Sequence, residues 1–83
     1  DANNIEAYNN RGAAKVWAKD FNGAISDLNK VIAAKPNHKT AYYNRAIAHY
    51  NLQKFNEACA DARKSSQLGY KKASLRLTEI CNH

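Results

Sequence analysis

One octapeptide recurs in this chain at a fixed distance, with five of its eight residues unchanged. Ala7-Tyr8-Asn9-Asn10-Arg11-Gly12-Ala13-Ala14 returns 34 residues later as Ala41-Tyr42-Tyr43-Asn44-Arg45-Ala46-Ile47-Ala48. The echo continues downstream, with Phe21-Asn22 returning as Phe55-Asn56, Ala24 as Ala58, Asp27 as Asp61 and Lys30 as Lys64. Over residues 5–38 and 39–72, ten of 34 aligned pairs are identical. A fixed period of that length marks a repeat architecture, in which stacked units bury a shared apolar face.

Within each copy, apolar positions recur with helical spacing and a break falls near the middle. The first copy reads as a helix over about Ile5 to Ala18, a turn at Lys19-Asp20, and a second helix over about Gly23 to Ala34. Asn4 is the expected N-cap of the first helix and Asn22 of the second. Phe21 is placed to staple onto the second helix one turn in. Ala24, Ile25, Leu28, Val31 and Ile32 make a broad apolar stripe, and Pro36 stops continuation. Gly12 and Ala24 are small and mark the closest approach of the pair. Lys15 is out of place on the apolar face; its stem is expected to cover the core edge while the ammonium reaches water.

The second copy repeats the plan over about Lys39 to Leu52 and Glu57 to Leu68, with Asn56 as N-cap. Ala62, Ser65 and Ser66 replace Leu28, Val31 and Ile32, which suits a close neighbour. Gly69 reads as the residue that ends this helix in left-handed conformation. A last helix, about Lys71 to Asn82, carries Ala73, Leu77, Ile80 and Cys81 on one stripe and Lys72, Thr78 and Glu79 on the other face. It reads as a polar-faced terminal cap, with Leu75 on the wrong side.

These residues resemble the tetratricopeptide repeat (TPR) family. Tyr8, Gly12, Ala24, Leu28 and Pro36 stand at its motif positions in the first copy, and Tyr42, Ala46 and Ala58 in the second. Lys15 and His49 replace a family Tyr, Lys19 and Gln53 the inter-helix Gly, and Tyr70 the second Pro. The resemblance covers residues 5–72. It implies an all-α, right-handed helix-turn-helix solenoid of five antiparallel helices: repeat 1 over 5–38, repeat 2 over 39–70, a cap over 71–82. Asp1-Ala2-Asn3-Asn4 aligns with Lys35-Pro36-Asn37-His38, so the chain is expected to be cut from a longer array or to begin as a mature form.

The resemblance also implies a concave face lined by outward positions of the first helix of each repeat. Carried over, these are Asn9, Asn10, Ala13, Val16 and Trp17, then Tyr43, Asn44, Ile47, Tyr50 and Asn51. Asn amides can bond the backbone of an extended segment and flat rings can hold its side chains. A family subset grips acidic C-terminal tails with a Lys/Asn/Arg clamp. Asn44 matches the clamp's central Asn, but Asn9 and Ala13 stand where a Lys and an Asn belong, so chaperone-tail binding is not expected. Asn10 and Asn44, at one repeat position, should lie side by side at about 10 Å, the helix-packing distance.

Other readings follow from spacing and charge. Arg11 and Arg45 each precede an Asp by 16 residues, Asp27 and Asp61. Across an antiparallel turn that spacing makes an inter-helix ion pair, and stacking lets Asp27 also meet Arg45 and Asp61 meet Arg76. Cys59 and Cys81 sit at equal height on antiparallel helices about Gly69-Tyr70, within bridging range. In an oxidising compartment they pair; in the cytosol they stay as thiols.

The formal net charge of +6 is scattered along the chain, with a local cluster only at Lys71-Lys72 and Arg76. With no nucleic-acid motif beside it, it reads as a solvated surface and not as a nucleic-acid site. No apolar run is long enough for a membrane span. No phosphate loop, paired-His metal spacing or oriented nucleophile is present, so neither an enzyme nor a cofactor is expected. His38, His49 and His83 are dispersed. The expected function is recognition of a protein or peptide partner. The alternative is stacking on neighbouring repeats, or weak self-association through the exposed face of the first helix.

Overall fold

A computed structural model describes residues 4–82; the opening Asp1-Ala2-Asn3 and His83 lie outside the described residues. Five helices follow in order: α1 (Ile5–Trp17), α2 (Phe21–Ala34), α3 (Lys39–Asn51), α4 (Phe55–Gln67) and α5 (Lys71–Cys81). Each packs on the next, and α1 also touches α3, so two antiparallel hairpins stack and α5 closes the row. The architecture is the all-α, right-handed solenoid expected.

The repeat is written into the turns. The Lys19 N–H bonds the Val16 carbonyl at 3.0 Å and the Asp20 N–H bonds the Lys15 carbonyl at 2.8 Å. Gln53 and Lys54 make the same pair of bonds to Tyr50 and His49, at 3.0 and 2.9 Å. Both patterns need a left-handed residue after the helix, and Lys19 (φ 65°) and Gln53 (φ 61°) take that role without being Gly. Gly69 (φ 94°) does the same after α4, where the sequence placed it.

These tight turns overturn two expected caps. Asp20, not Asn22, caps α2, its Oδ1 accepting the Gly23 N–H at 3.1 Å, so Phe21 lies inside the helix rather than ahead of it. Lys54, not Asn56, occupies the cap position of α4 and offers no side-chain bond. Asn4 caps α1 as expected, accepting the Ala7 N–H at 3.1 Å. His38 caps α3 by accepting the Ala41 N–H on Nδ1 at 3.2 Å.

The core is in two parts. Ala24, Leu28, Val31, Ala41 and Ala48 are buried completely, with Tyr8, Val16, Phe21, Ile25 and Ile32 packed around them. Ala46, Ala58, Ala62 and Ile80 form the second cluster, bordered by Ile47, Tyr50 and Leu77. Ile80 comes from α5, so the cap completes the second hairpin. The small residues of α4 make that approach possible, and Ser65 donates to the Lys39 carbonyl at 2.8 Å from a fully buried position. Gly12 is where α1 meets α2 most tightly, and its neighbour is the Leu28 side chain more than Ala24: a Cβ at Gly12 would sit 2.8 Å from Leu28 Cγ and 3.5 Å from the Ala24 carbonyl. Leu75 is 75% exposed and packs on nothing in the core.

Cys59 and Cys81 are joined in a disulfide with a Cα separation of 4.7 Å, fastening α5 to α4. A loop of this length stabilises by about 3 kcal/mol in the chain-entropy model.

Candidate peptide-binding groove

A largely apolar hollow lies between the α1–α2 turn and α3, with α5 as its far wall. It encloses about 290 Å³ and is lined by Val16, Trp17, Lys19, Phe21, Tyr43, Asn44, Ile47, Asn51 and Arg76. Trp17 is the last residue of α1, and the left-handed turn that follows carries the chain away from it. The residue is 88% exposed. Tyr43 is held by α5 and its N-cap residue: its ring meets Tyr70 edge-on at 5.2 Å, and its hydroxyl accepts from Arg76 Nη1 at 3.1 Å. Asn51 Nδ2 donates to the Ile47 carbonyl at 2.8 Å, which pins one side of the floor. The charged lining residues are Lys19 and Arg76, both cationic, while Glu79 neutralises part of Arg76 through a 3.1 Å pair.

The structure brings together Trp17, Tyr43, Asn44 and Ile47 of the residues expected on the concave face, with Val16 and Asn51 beside them. It does not bring the others. Asn10 is exposed on α1 and Ala13 half-buried, and neither lines the groove. Asn9 is buried, with an Oδ1 that has no hydrogen-bond partner, and does not line the groove. Tyr50 turns toward α4, where Ala58 and Ala62 leave room for its ring, and meets Phe55 edge-on at 5.3 Å. Lys19, Phe21 and Arg76 are the lining residues that the sequence reading did not assign to the groove. The basic cluster Lys71-Lys72-Arg76 was the available signal for the last of them.

Behind the groove, each hairpin is clipped by a buried carboxylate. Arg11 grips Asp27 with two bonds, Nε to Oδ2 at 2.8 Å and Nη2 to Oδ1 at 2.7 Å. Arg45 grips Asp61 in the same way, at 2.7 Å for both bonds. A second basic side chain stands one turn further along each first helix, a lysine in one and a histidine in the other. Lys15 Nζ reaches Asp27 at 3.1 Å, and His49 Nε2 lies 3.7 Å from Asp61. Lys15 therefore does not simply run out to water; it is an ion-pair partner of a carboxylate that is itself 2% exposed. The hydrogen bonds from Arg11, then those from Lys15, hold Asp27 down at about 2, well below an ordinary carboxylate, against the burial that opposes ionisation. Asp27 raises Arg11 in return, as Asp61 raises Arg45. Burial pushes His49 below its ordinary value despite Asp61.

The expected inter-repeat pairs do not form. Arg45 reaches across to Asn29 Oδ1 at 3.0 Å, not to Asp27. Arg76 goes to Tyr43 and Glu79, not to Asp61, whose two oxygens Arg45 already occupies. The clip residues are structural in geometry: Asp27 and Asp61 are sealed from solvent and satisfied within the hairpins.

The same interval of 34 residues thus sets turn, clip and core alike in two stacked helical hairpins. The chain is a two-repeat TPR fold with a capping helix. No protein-family model matches it. Among curated proteins it is 40% identical over 53 residues to Hsp70-Hsp90 organizing protein 1 of Glycine max, over 64% of this chain and 9% of that protein. It is 36% identical over 63 residues to DnaJ homolog subfamily C member 7 of Mus musculus, over 76% of this chain and 13% of that protein. Against sperm-associated antigen 1 of Homo sapiens the figures are 33% over 60 residues, 72% of this chain and 6% of that protein. This TPR chain spans about a tenth of the length of such relatives.

Proposed function

We propose that this TPR chain is a non-catalytic recognition module that holds an extended segment of a partner protein in the groove between α1 and α3. The observation that carries the reading is the exposed Trp17 ring beside a floor of Val16, Tyr43 and Ile47. A large exposed ring at the mouth of an apolar hollow is the usual anchor of a binding surface. Lys19 and Arg76 at the edge favour a segment with acidic residues beside an apolar or aromatic side chain. The Asn44 amide offers a donor and an acceptor to its backbone. Names such as Hsp70-Hsp90 organizing protein tie some relatives to chaperones. Here Asn9 and Ala13 leave the tail-gripping clamp incomplete, so the segment is bound through its side chains and backbone, without need of a terminal carboxylate.

The test is selection from a random-sequence peptide display library on the disulfide-bonded chain. Peptides sharing an aromatic or aliphatic position with acidic neighbours should be enriched, and should be lost on Trp17→Ala and weakened on Asn44→Ala. Enrichment that both variants leave intact would refute the groove. A second reading, self-association through the outer face of α1, is favoured by a shallow hollow there lined by Asn4, Ala7, Tyr8 and Arg11.

A further inference from the structure

The Cys59–Cys81 bridge is asymmetric in a way that matters for its chemistry. Both cysteines are half-buried rather than sealed in the core. Cys59 lies in the first half of α4, and Arg63, one turn on and exposed, places its Nη2 3.5 Å from the Cys59 sulfur. A guanidinium at that distance stabilises a thiolate. Cys81 is the last residue of α5, at the carbonyl end of the helix, where the helix dipole disfavours negative charge. Its sulfur lies 3.8 Å from the Cys59 carbonyl oxygen, another negative pole. Cys59 is therefore the better leaving group and Cys81 the sulfur that a nucleophile should attack.

The bridge also fastens the wall of the groove. α5 begins without a side-chain cap and meets the core through Ala73, Leu77 and Ile80. It supplies Arg76, which holds Tyr43 in the groove lining. We propose that Cys59–Cys81 is a thiol–disulfide exchange site of fixed polarity whose opening loosens α5 and with it the groove wall. The co-reactant is a dithiol. Its first thiolate attacks Cys81 Sγ, forming a mixed disulfide as the Cys59–Cys81 bond breaks, and Cys59 leaves as a thiolate beside Arg63. The second thiol of the reductant loses its proton and attacks its own sulfur in the mixed disulfide. A cyclic disulfide departs and Cys81 becomes a thiolate, which takes up a proton from water. Two electrons pass from the dithiol to the bridge. That loosening α5 alters binding rests on the groove reading; the polarity of exchange does not.

The experiment uses the oxidised chain and a monothiol, reduced glutathione, which stops at the mixed disulfide. Early time points are quenched in acid, free thiols are alkylated, and the modified cysteine is located by peptide mass spectrometry. Glutathione should be found on Cys81 in at least about fivefold excess. Equal labelling, or an excess on Cys59, overturns the polarity. Arg63→Gln should slow the initial rate by about threefold or more and Arg63→Lys should restore most of it; an unchanged rate in Arg63→Gln overturns the role of Arg63. Amide hydrogen exchange with and without dithiothreitol reads the second half. Protection should fall in α5 while α1 to α3 keep theirs, and unchanged protection in α5 overturns the release. None of these readouts needs a groove ligand, so failure here and failure of the groove reading are separable.

Discussion

Adding one methyl group at Gly12 should destabilise the first hairpin, although the same change helps most exposed helix positions. The new Cβ would lie 2.8 Å from both Cγ and Cδ2 of Leu28. Leu28 is fully buried, so its side chain has nowhere to withdraw. Overpacking of this kind costs about 1–3 kcal/mol, and the helix propensity gained from Gly to Ala returns about 0.5–1 kcal/mol. Gly12→Ala should therefore lose up to about 2.5 kcal/mol net, with a central value of about 1 kcal/mol. The second repeat shows the alternative solution, Ala46 with Ala62 at the equivalent pair, both fully buried. Leu28→Ala alone should cost about 2–5 kcal/mol through the cavity it leaves. In the Gly12→Ala background the same truncation also relieves the clash, so the double mutant should be more stable than the sum of the two losses by at least about 1.5 kcal/mol. Urea and thermal melts of the four proteins, followed by circular dichroism, give the cycle. In a domain this small each kcal/mol moves Tm by roughly 4–8 °C. Gly12→Ala more stable than the parent, or strictly additive losses, would refute the packing argument.

Three further outcomes are expected. Stability should fall steadily as pH drops. Asp27 is held below its unfolded value, so its contribution is complete above about pH 4 and is lost as pH falls toward about 2. His49 is also depressed, so the unfolded chain takes up protons first below about pH 6.5, which weakens the fold in the same direction. Asp27→Asn should flatten the acid limb of urea melts, and an unaltered limb would deny Asp27 that role. Gln53→Gly should stabilise by about 0.5–1 kcal/mol by removing a side chain from a left-handed position, and a loss in thermal melts would show that the Gln side chain matters more than its backbone. If the outer face of α1 self-associates, sedimentation should show weight-average mass rising with concentration, and a charge at the exposed Ala7, as in Ala7→Glu, should abolish the rise; a strict monomer at high concentration would reject that second reading.

Much of this was legible in the sequence because a period constrains many residues at once. The 34-residue interval fixed which helices face each other, and the 16-residue spacing then put Arg11 on Asp27 and Arg45 on Asp61. Equal height across the Gly69 turn paired Cys59 with Cys81. What failed was local choice under tertiary control. Asn22 is as good a capping residue as Asp20 and Asn56 a better one than Lys54, but the left-handed Lys19 and Gln53 place the next residue, Asp20 or Lys54, at the cap. Lys15 looked misplaced because its carboxylate lies on another helix. Tyr50 looked outward because the space beside Ala58 and Ala62 is visible only once α3 and α4 are packed. Arg76 was matched to Asp61 because each second helix packs on the next helix, where the α5 geometry turns it to Tyr43.

The groove is tested most directly by nuclear magnetic resonance on the isotope-labelled, oxidised chain titrated with the tightest peptide from the display selection. Amide shifts should move together around Val16, Trp17 and Phe21, along Tyr43 to Asn51, and at Arg76, with Trp17→Ala weakening the complex by about 2 kcal/mol or more. Shifts gathered instead on Asn4, Tyr8 and Arg11, or an affinity that Trp17→Ala leaves unchanged, would contradict the account.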